Sequence, residues 1–279
     1  MANIKLITDS TCDLPKNILD TYSIDVIPVM INFGEESYLD DGIQMNREEL
    51  FRRIDSGSVF PTTAQITPTR FVEIFEKAKE KNETLLLVLM SSNMSGTYQS
   101  ACLAKEMVDY PNIHIVDSQS ICSGLGLLVI RAAKLIKEGK DVSEIVEELN
   151  KIKYKISSSL SFDSLDNLIK GGRISKTVGI VTGILGIKLI LEIKDGSMAV
   201  KDKVRGSKKA IKRIIQDIKD LGYNKDVPVI LVNLDMEEIA QPLRTYLEEN
   251  NIEYIEGPVG CTVAIHSGNK VSGLFFIAE

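Results

Sequence analysis

Apolar residues recur along this chain in short runs, each followed by a polar turn and then by apolar positions three and four apart. "NIKLITDS" (3–10), "TLLLVLM" (84–90) and "NIHIVDS" (112–118) are such runs. They read as strands of a parallel sheet, which is covered on both faces. "IDVIPVMINF" (24–33) reads as a further strand. Between the strands lie helical patterns. "DLPKNILDTY" (13–22) offers Asp13 as N-cap and Pro15 in the first turn. "NREELFRRIDSG" (46–57) starts at Asn46 with Glu49 three residues on and stops at Gly57. "ITPTRFVEIFEKAKEK" (66–81) places Phe71, Ile74, Phe75 and Ala78 on one face. Residues 85–108 pass from strand to helix, and "GLGLLVIRAAKLIKEGK" (124–140) is a long helix. This alternation predicts an α/β fold with a Rossmann-like parallel sheet.

The pattern changes in the second half. "LNKIKYKISSSLSF" (149–162) leaves a helix and enters an alternating strand, and 188–206 reads as a hairpin turning at Asp195-Gly196. Helices at 207–221 and 236–250 flank "VPVILVNL", and strand-like "NIEYIEGPVG" and "KVSGLFFIAE" end the chain. The reading divides the protein into an α/β domain, residues 1–155, and a mixed α+β domain, residues 156–279, with the ligand expected between them. No repeat or low-complexity linker marks the boundary.

Composition narrows the function. Of 279 residues, 44% are hydrophobic and 26% charged, as in an ordinary soluble protein. The apolar runs are too short to span a bilayer, and Lys5 and Asp9 interrupt the first of them, which argues against a secretory leader. A net charge of −6 argues against nucleic acid as a partner. The four cysteines (Cys12, Cys102, Cys122, Cys261) lack C-x-x-C spacing, and with two histidines no zinc pattern forms. Reduced thiols, a cytoplasmic location and no metal or cofactor are the expectation.

Candidate chemistry sits where strands end. Ligands of parallel α/β sheets bind beyond the strands' carboxyl ends, where this chain places three hydroxyl-rich loops: Thr8, Asp9, Ser10 and Thr11; Thr62, Thr63 and Gln65; and Ser91, Ser92 and Ser95. Ser95-Gly96-Thr97 opens a helix, whose N–H groups favour an anion, although Ser95 or Asn93 can equally be a plain cap. No phosphate-loop string is present, and Val129 stands where "GLGLLV" (124–129) would need its third fingerprint glycine, so helix packing is the better reading there. Arg173, after Gly171-Gly172, could reach a carboxylate or phosphate with two hydrogen bonds. His266 lies among glycines near an expected strand end. Ser95, His266 and Asp9 could form a hydrolase triad, but no G-x-S-x-G elbow accompanies them.

"ITDSTCDLP", "PTTAQ", "SSNMSGTYQSA", "IVDS", "LIKGGRIS", "KVRG" and "GPVG…IHSG" come in the order found in DegV-family proteins, and the resemblance spans essentially the whole chain. It implies a fatty-acid-binding protein that holds one long-chain (C16–C18) fatty acid between two domains. It also implies presentation of the carboxylate to a separate ATP-dependent fatty acid kinase, and retention of the acyl-phosphate for phospholipid synthesis. Carried over by motif, the carboxylate contacts fall on Thr63 and Ser95, with Ser10, Thr62, Arg173 and His266 close by. Two blocks depart from the family's usual form. T-S-Q-P becomes Thr63-Ala64-Gln65-Ile66, and H-x-G-P-G becomes His266-Ser267-Gly268-Asn269-Lys270.

Apolar residues of the central elements, among them Phe162, Ile180, Ile184 and Leu185, are candidates for the acyl tunnel. "SKTVGIVTGILGIKLIL" (175–191) reads as ordinary core or as a lid. Lys203, Arg205 and Lys209 belong to a basic run that could dock an acidic kinase surface, and transient membrane contact is compatible with the delivery role. Two alternatives stay open: a serine-dependent acyl hydrolase using Ser95 and His266, and a lipid-sensing regulatory protein.

Overall fold

The computed structural model describes residues 4–57, 59–175 and 186–279. The chain begins with β1 (Ile4–Asp9), α1 (Lys16–Thr21), β2 (Asp25–Ile27), β3 (Met30–Phe33), β4 (Glu36–Leu39), α2 (Arg47–Asp55) and β5 (Thr62–Ala64). It continues through α3 (Pro68–Lys81), β6 (Thr84–Leu89), α4 (Thr97–Val108), β7 (Ile113–Asp117), α5 (Ser123–Lys137) and α6 (Val142–Ile152). Then come β8 (Ile156–Phe162), α7 (Asp166–Lys170), β9 (Ile187–Lys194), β10 (Ser197–Arg205) and α8 (Ser207–Leu221). The end is formed by β11 (Val229–Leu234), α9 (Glu237–Glu249), β12 (Tyr254–Gly257), α10 (Cys261–Ser267) and β13 (Val271–Ile277).

The strands form a parallel sheet of order β2-β1-β6-β7, a mixed six-stranded sheet of order β10-β9-β8-β13-β11-β12, and a small antiparallel sheet β4-β3-β5. Strands before residue 155 build the first and third of these, and strands after it build the second. The expected parallel α/β sheet and separate mixed sheet are both present.

Three expectations fail, each for a local reason. The strand expected over 24–33 is two strands in different sheets, because Pro28 has no N–H to continue a ladder. Asp13 does not cap α1. It adopts a left-handed φ of 48°, and its carboxylate accepts from the N–H of Gly260 at 2.9 Å, while Pro15 occupies the N-cap. The segment around His266 is not a strand end but the short helix α10, whose first N–H groups are held by Asp40: Cys261 at 3.1 Å and Thr262 at 2.9 Å.

Helix α5 ties the sheets together, contacting β1 and β6 on one side and β8, β11 and β13 on the other. Its residues 123–130 are all buried, as a helix apolar all round requires. Gly126 permits the approach: a β-carbon there would fall 2.7 Å from the carbonyl of Cys12. The glycines of "GLGLLV" are therefore packing residues.

Candidate functional site

The cavity between the two larger sheets has a volume of about 220 Å³. One water needs about 10–15 Å³ by the same measure, so the space has room for a group much larger than a single water. Most of its wall is apolar, and the mixed sheet contributes Leu160, Phe162, Ile193, Met198, Val232, Val271 and Phe275 to it. Phe162 was an expected lining residue; Ile180, Ile184 and Leu185, with most of the segment considered as a lid, lie outside the described residues. Polar groups enter through Thr63, Gln65, Ser95, Arg173, Thr262 and His266.

Thr63, Ser95, Arg173 and His266 thus line one cavity, although they are far apart in sequence. Thr63 is on β5, Ser95 precedes α4, Arg173 follows α7 and His266 closes α10. Ser10 and Thr62 are not in that lining. The Ser10 hydroxyl accepts from the N–H of Val29 at 3.1 Å and donates to Asp40 at 3.4 Å. Thr62 is exposed, since β5 alternation turns it to the face opposite Thr63.

His266 Nε2 lies 3.0 Å from Thr63 Oγ1. Burial and the nearby Arg173 charge push the imidazole down to about 4, so the ring is neutral at pH 7 and carries one N–H. On Nδ1 that hydrogen would be a buried donor without a partner. On Nε2 it donates to Thr63, the assignment that leaves no donor unpaired. Thr63 then has its own hydroxyl hydrogen to give. Gly171 backs the ring: a β-carbon there would sit 2.1 Å from Nδ1. Asn167 fixes the helix by donating to the carbonyl of Ile265 at 3.0 Å.

Arg173 is half-buried and bonds to the carbonyl of Gly171. Among the described residues no carboxylate forms an ion pair with it. Burial lowers its pKa from the ordinary guanidinium value, in keeping with a cation that lines the cavity with no carboxylate paired to it among the described residues. A cation and two hydroxyls beside an apolar space can hold an anionic head on a hydrophobic body.

The "SSNMSGT" loop divides its labour. Ser91 Oγ donates to the carbonyl of Gly196 at 2.7 Å and Asn93 Nδ2 to that of Asp195 at 2.8 Å. Both carbonyls belong to the β9–β10 turn, so these side chains grip the hairpin whose Ile193 and Met198 wall the cavity. Only Ser95 of the three expected serines lines the cavity. Met90, Met94, Thr262, Val232 and Phe275 were missed; β11 and β13 are buried on both faces, so their patterns do not separate cavity wall from core.

The hydrolase triad is not assembled. Asp9 binds the N–H of Met90 at 2.8 Å and the N–H of Thr11 at 3.0 Å, and none of the described hydrogen bonds joins Ser95 to His266. Among the described residues no group of His, Cys, Asp and Glu could hold a metal ion, and no helix is long and apolar enough to cross a membrane.

A family model described as "Uncharacterised protein, DegV family" matches residues 3–279. The chain belongs to the DegV family. It is 47% identical to a DegV domain-containing protein of Clostridium perfringens over the full length of both. A DegV family protein from Thermus thermophilus, described by its fatty acid binding, superposes with a TM-score of 0.90 at 27% identity, over 99% of this chain and 100% of that one. A stearic acid-binding protein from Eubacterium ventriosum superposes with a TM-score of 0.86 at 26% identity, over 100% and 98%. In this DegV chain, Ile66 stands where the family's motif usually has proline, and its N–H donates to Thr97 Oγ1 at 3.2 Å, a bond proline could not make. Of the other departures, Ala64 lines the cavity, and Asn269 and Lys270 are exposed.

Proposed function

We propose that this protein binds one long-chain fatty acid of C16–C18 length, with its carboxylate at Thr63, Ser95 and Arg173 beside His266 and its chain in the apolar cavity. The observation that carries the reading is Arg173: a half-buried cation with no ion-pairing carboxylate among the described residues, placed with the hydroxyls of Thr63 and Ser95 at a largely apolar space. About 14 buried methylenes at roughly 0.8 kcal/mol each contribute about 11 kcal/mol. Association costs of about 4–15 kcal/mol offset much of this. The chain therefore supplies affinity, and the head group supplies register.

The same reading extends to a role as lipid-presenting protein: a separate ATP-dependent fatty acid kinase phosphorylates the carboxylate, and the acyl-phosphate stays bound for phospholipid synthesis. Lys203, Arg205 and Lys209 support a dock for an acidic partner. All three are exposed, and among the described residues none is in an ion pair, whereas Arg213 nearby is occupied by Asp202 and Asp217. Reversing the charge of Arg205 and Lys209 should slow phosphorylation while leaving bound lipid in place.

Native mass spectrometry followed by denaturing release tests the binding step. The expected result is one bound acid of roughly 250–285 Da per chain, the scale of one buried ligand, with Arg173→Ala losing most of it. A bare protein that also refuses added palmitate and oleate would overturn the proposal.

A further inference from the structure

Ser95 touches the cavity, but the direction of its hydrogen bond is set by a residue that does not line it. Thr97 is buried to 0% exposure. Its Oγ1 accepts from the N–H of Ile66 at 3.2 Å and lies 3.0 Å from Ser95 Oγ. Its N–H donates to Ser95 Oγ at 3.3 Å. Either hydroxyl could donate across the 3.0 Å contact, and polar accounting decides between them. If Ser95 donated, Thr97 Oγ1 would accept twice and its own hydrogen would be left in a buried position without a partner. If Thr97 donates, every group is satisfied. Ser95 Oγ then accepts from both the hydroxyl and the N–H of Thr97, and its hydrogen is left for the cavity.

We propose that Thr97 is a positioning residue that makes Ser95 a one-way hydrogen-bond donor and so tunes the site to a carboxylate over a neutral hydroxyl head group. The proposal rests on the fatty-acid reading of the cavity. With both acceptor positions of Ser95 filled, an alcohol head group finds no acceptor there for its own O–H, whereas a carboxylate needs only donors. The donation from His266 to Thr63 orients a second hydroxyl in the same sense, and Arg173 is donor-only by its chemistry. Ile66 strengthens the direction: its N–H fills one lone pair of Thr97 and so disfavours acceptance from Ser95.

Thr97→Val removes the hydroxyl at constant volume and frees one lone pair of Ser95, while Thr97→Ser retains the bond. The test is displacement of a fluorescent fatty acid by palmitate and, separately, by hexadecan-1-ol, at pH 8. Each such bond is worth roughly a factor of 2–10 in an equilibrium. In Thr97→Val the preference for palmitate over hexadecan-1-ol should therefore shrink by about that factor. Thr97→Ser should restore the wild-type ratio, and adding Thr97→Val to Ser95→Ala should change the ratio no further. A Thr97→Val protein that loses affinity for both ligands alike, or keeps the wild-type ratio, would overturn the assignment and leave fatty-acid binding standing. A wild-type protein that binds neither ligand would overturn both.

Discussion

The loops after β1 and β6 are neighbours at the carboxyl edge of one parallel sheet, and in sequence they look alike: Asp9-Ser10-Thr11 in one, Ser91-Ser92-Asn93 and Ser95 in the other. Their chemistry differs. In the first, the polar groups are turned on the protein itself. Asp9 accepts from Thr11 through both N–H and hydroxyl and from the N–H of Met90, and Ser10 is bonded to Val29 and Asp40. In the second, Ser91 and Asn93 are spent on the hairpin, and Ser95 keeps a hydrogen to give. A ligand-binding hydroxyl is distinguished by its unspent bonding capacity and not by its type or its place in the motif.

The comparison breaks most easily at Asp9. Replacing it with Ala strands two buried N–H groups and a hydroxyl, and the expected loss is about 2–4 kcal/mol in urea unfolding. A loss below 1 kcal/mol would mean that the first loop is no more occupied than the second. Gly196 probes the hairpin grip next. Its φ is +74°, and a β-carbon would fall 2.5 Å from Ser91 Oγ and 2.6 Å from Gln119 Oε1. Gly196→Ala should cost about 2 kcal/mol through backbone strain and displacement of the Ser91 bond, read by the same unfolding experiment.

These two positions show what the sequence makes legible. The Asp-Gly turn at 195–196 follows from the φ > 0 preference of a two-residue hairpin, so the hairpin could be read directly. What it docks against could not, because the partners Ser91 and Asn93 lie about a hundred residues away in a loop that looks like a ligand site. The parallel sheet was readable from its buried runs, whereas the antiparallel β4-β3-β5 sheet was hidden by short, half-exposed strands. Thr63, Ser95, Arg173 and His266, which line one cavity, stood out one by one as local signals, and motif resemblance is what joined them into a single candidate site. Local signals would have placed His266 beside a strand and left Thr97 as one more helix-start residue, since hydrogen-bond direction is a property of tertiary contacts alone.

His266 gives the third test. Its folded pKa, about 4, is below the ordinary 6.5, so between those values the unfolded chain binds more protons and stability falls as pH falls. From pH 6.5 to 5 this one group should cost about 2 kcal/mol. Asp9 and Asp13, whose pKa values burial raises, act in the opposite direction. Because they are common to wild type and His266→Gln, the difference between the two proteins isolates the histidine. Parallel stability curves from pH 7 to 5 would show that the ring is not held neutral.

The smallest effect on stability belongs to Ser95, and it is the sharpest test of the contrast. Ser95→Ala removes an acceptor from Thr97, but the position is half-buried at a cavity where water can replace a hydroxyl. Unfolding free energy should change by less than about 1 kcal/mol, well under the Asp9→Ala loss, while affinity for palmitate should drop by roughly 10–100-fold, as expected for a hydrogen bond to a charged group. The ratio of the two effects carries the meaning. A large stability loss with unchanged affinity would place Ser95 with Asp9, as a residue spent on the fold. A small stability loss with a large affinity loss would establish that adjacent hydroxyl-rich loops have been divided between holding the protein and holding its ligand.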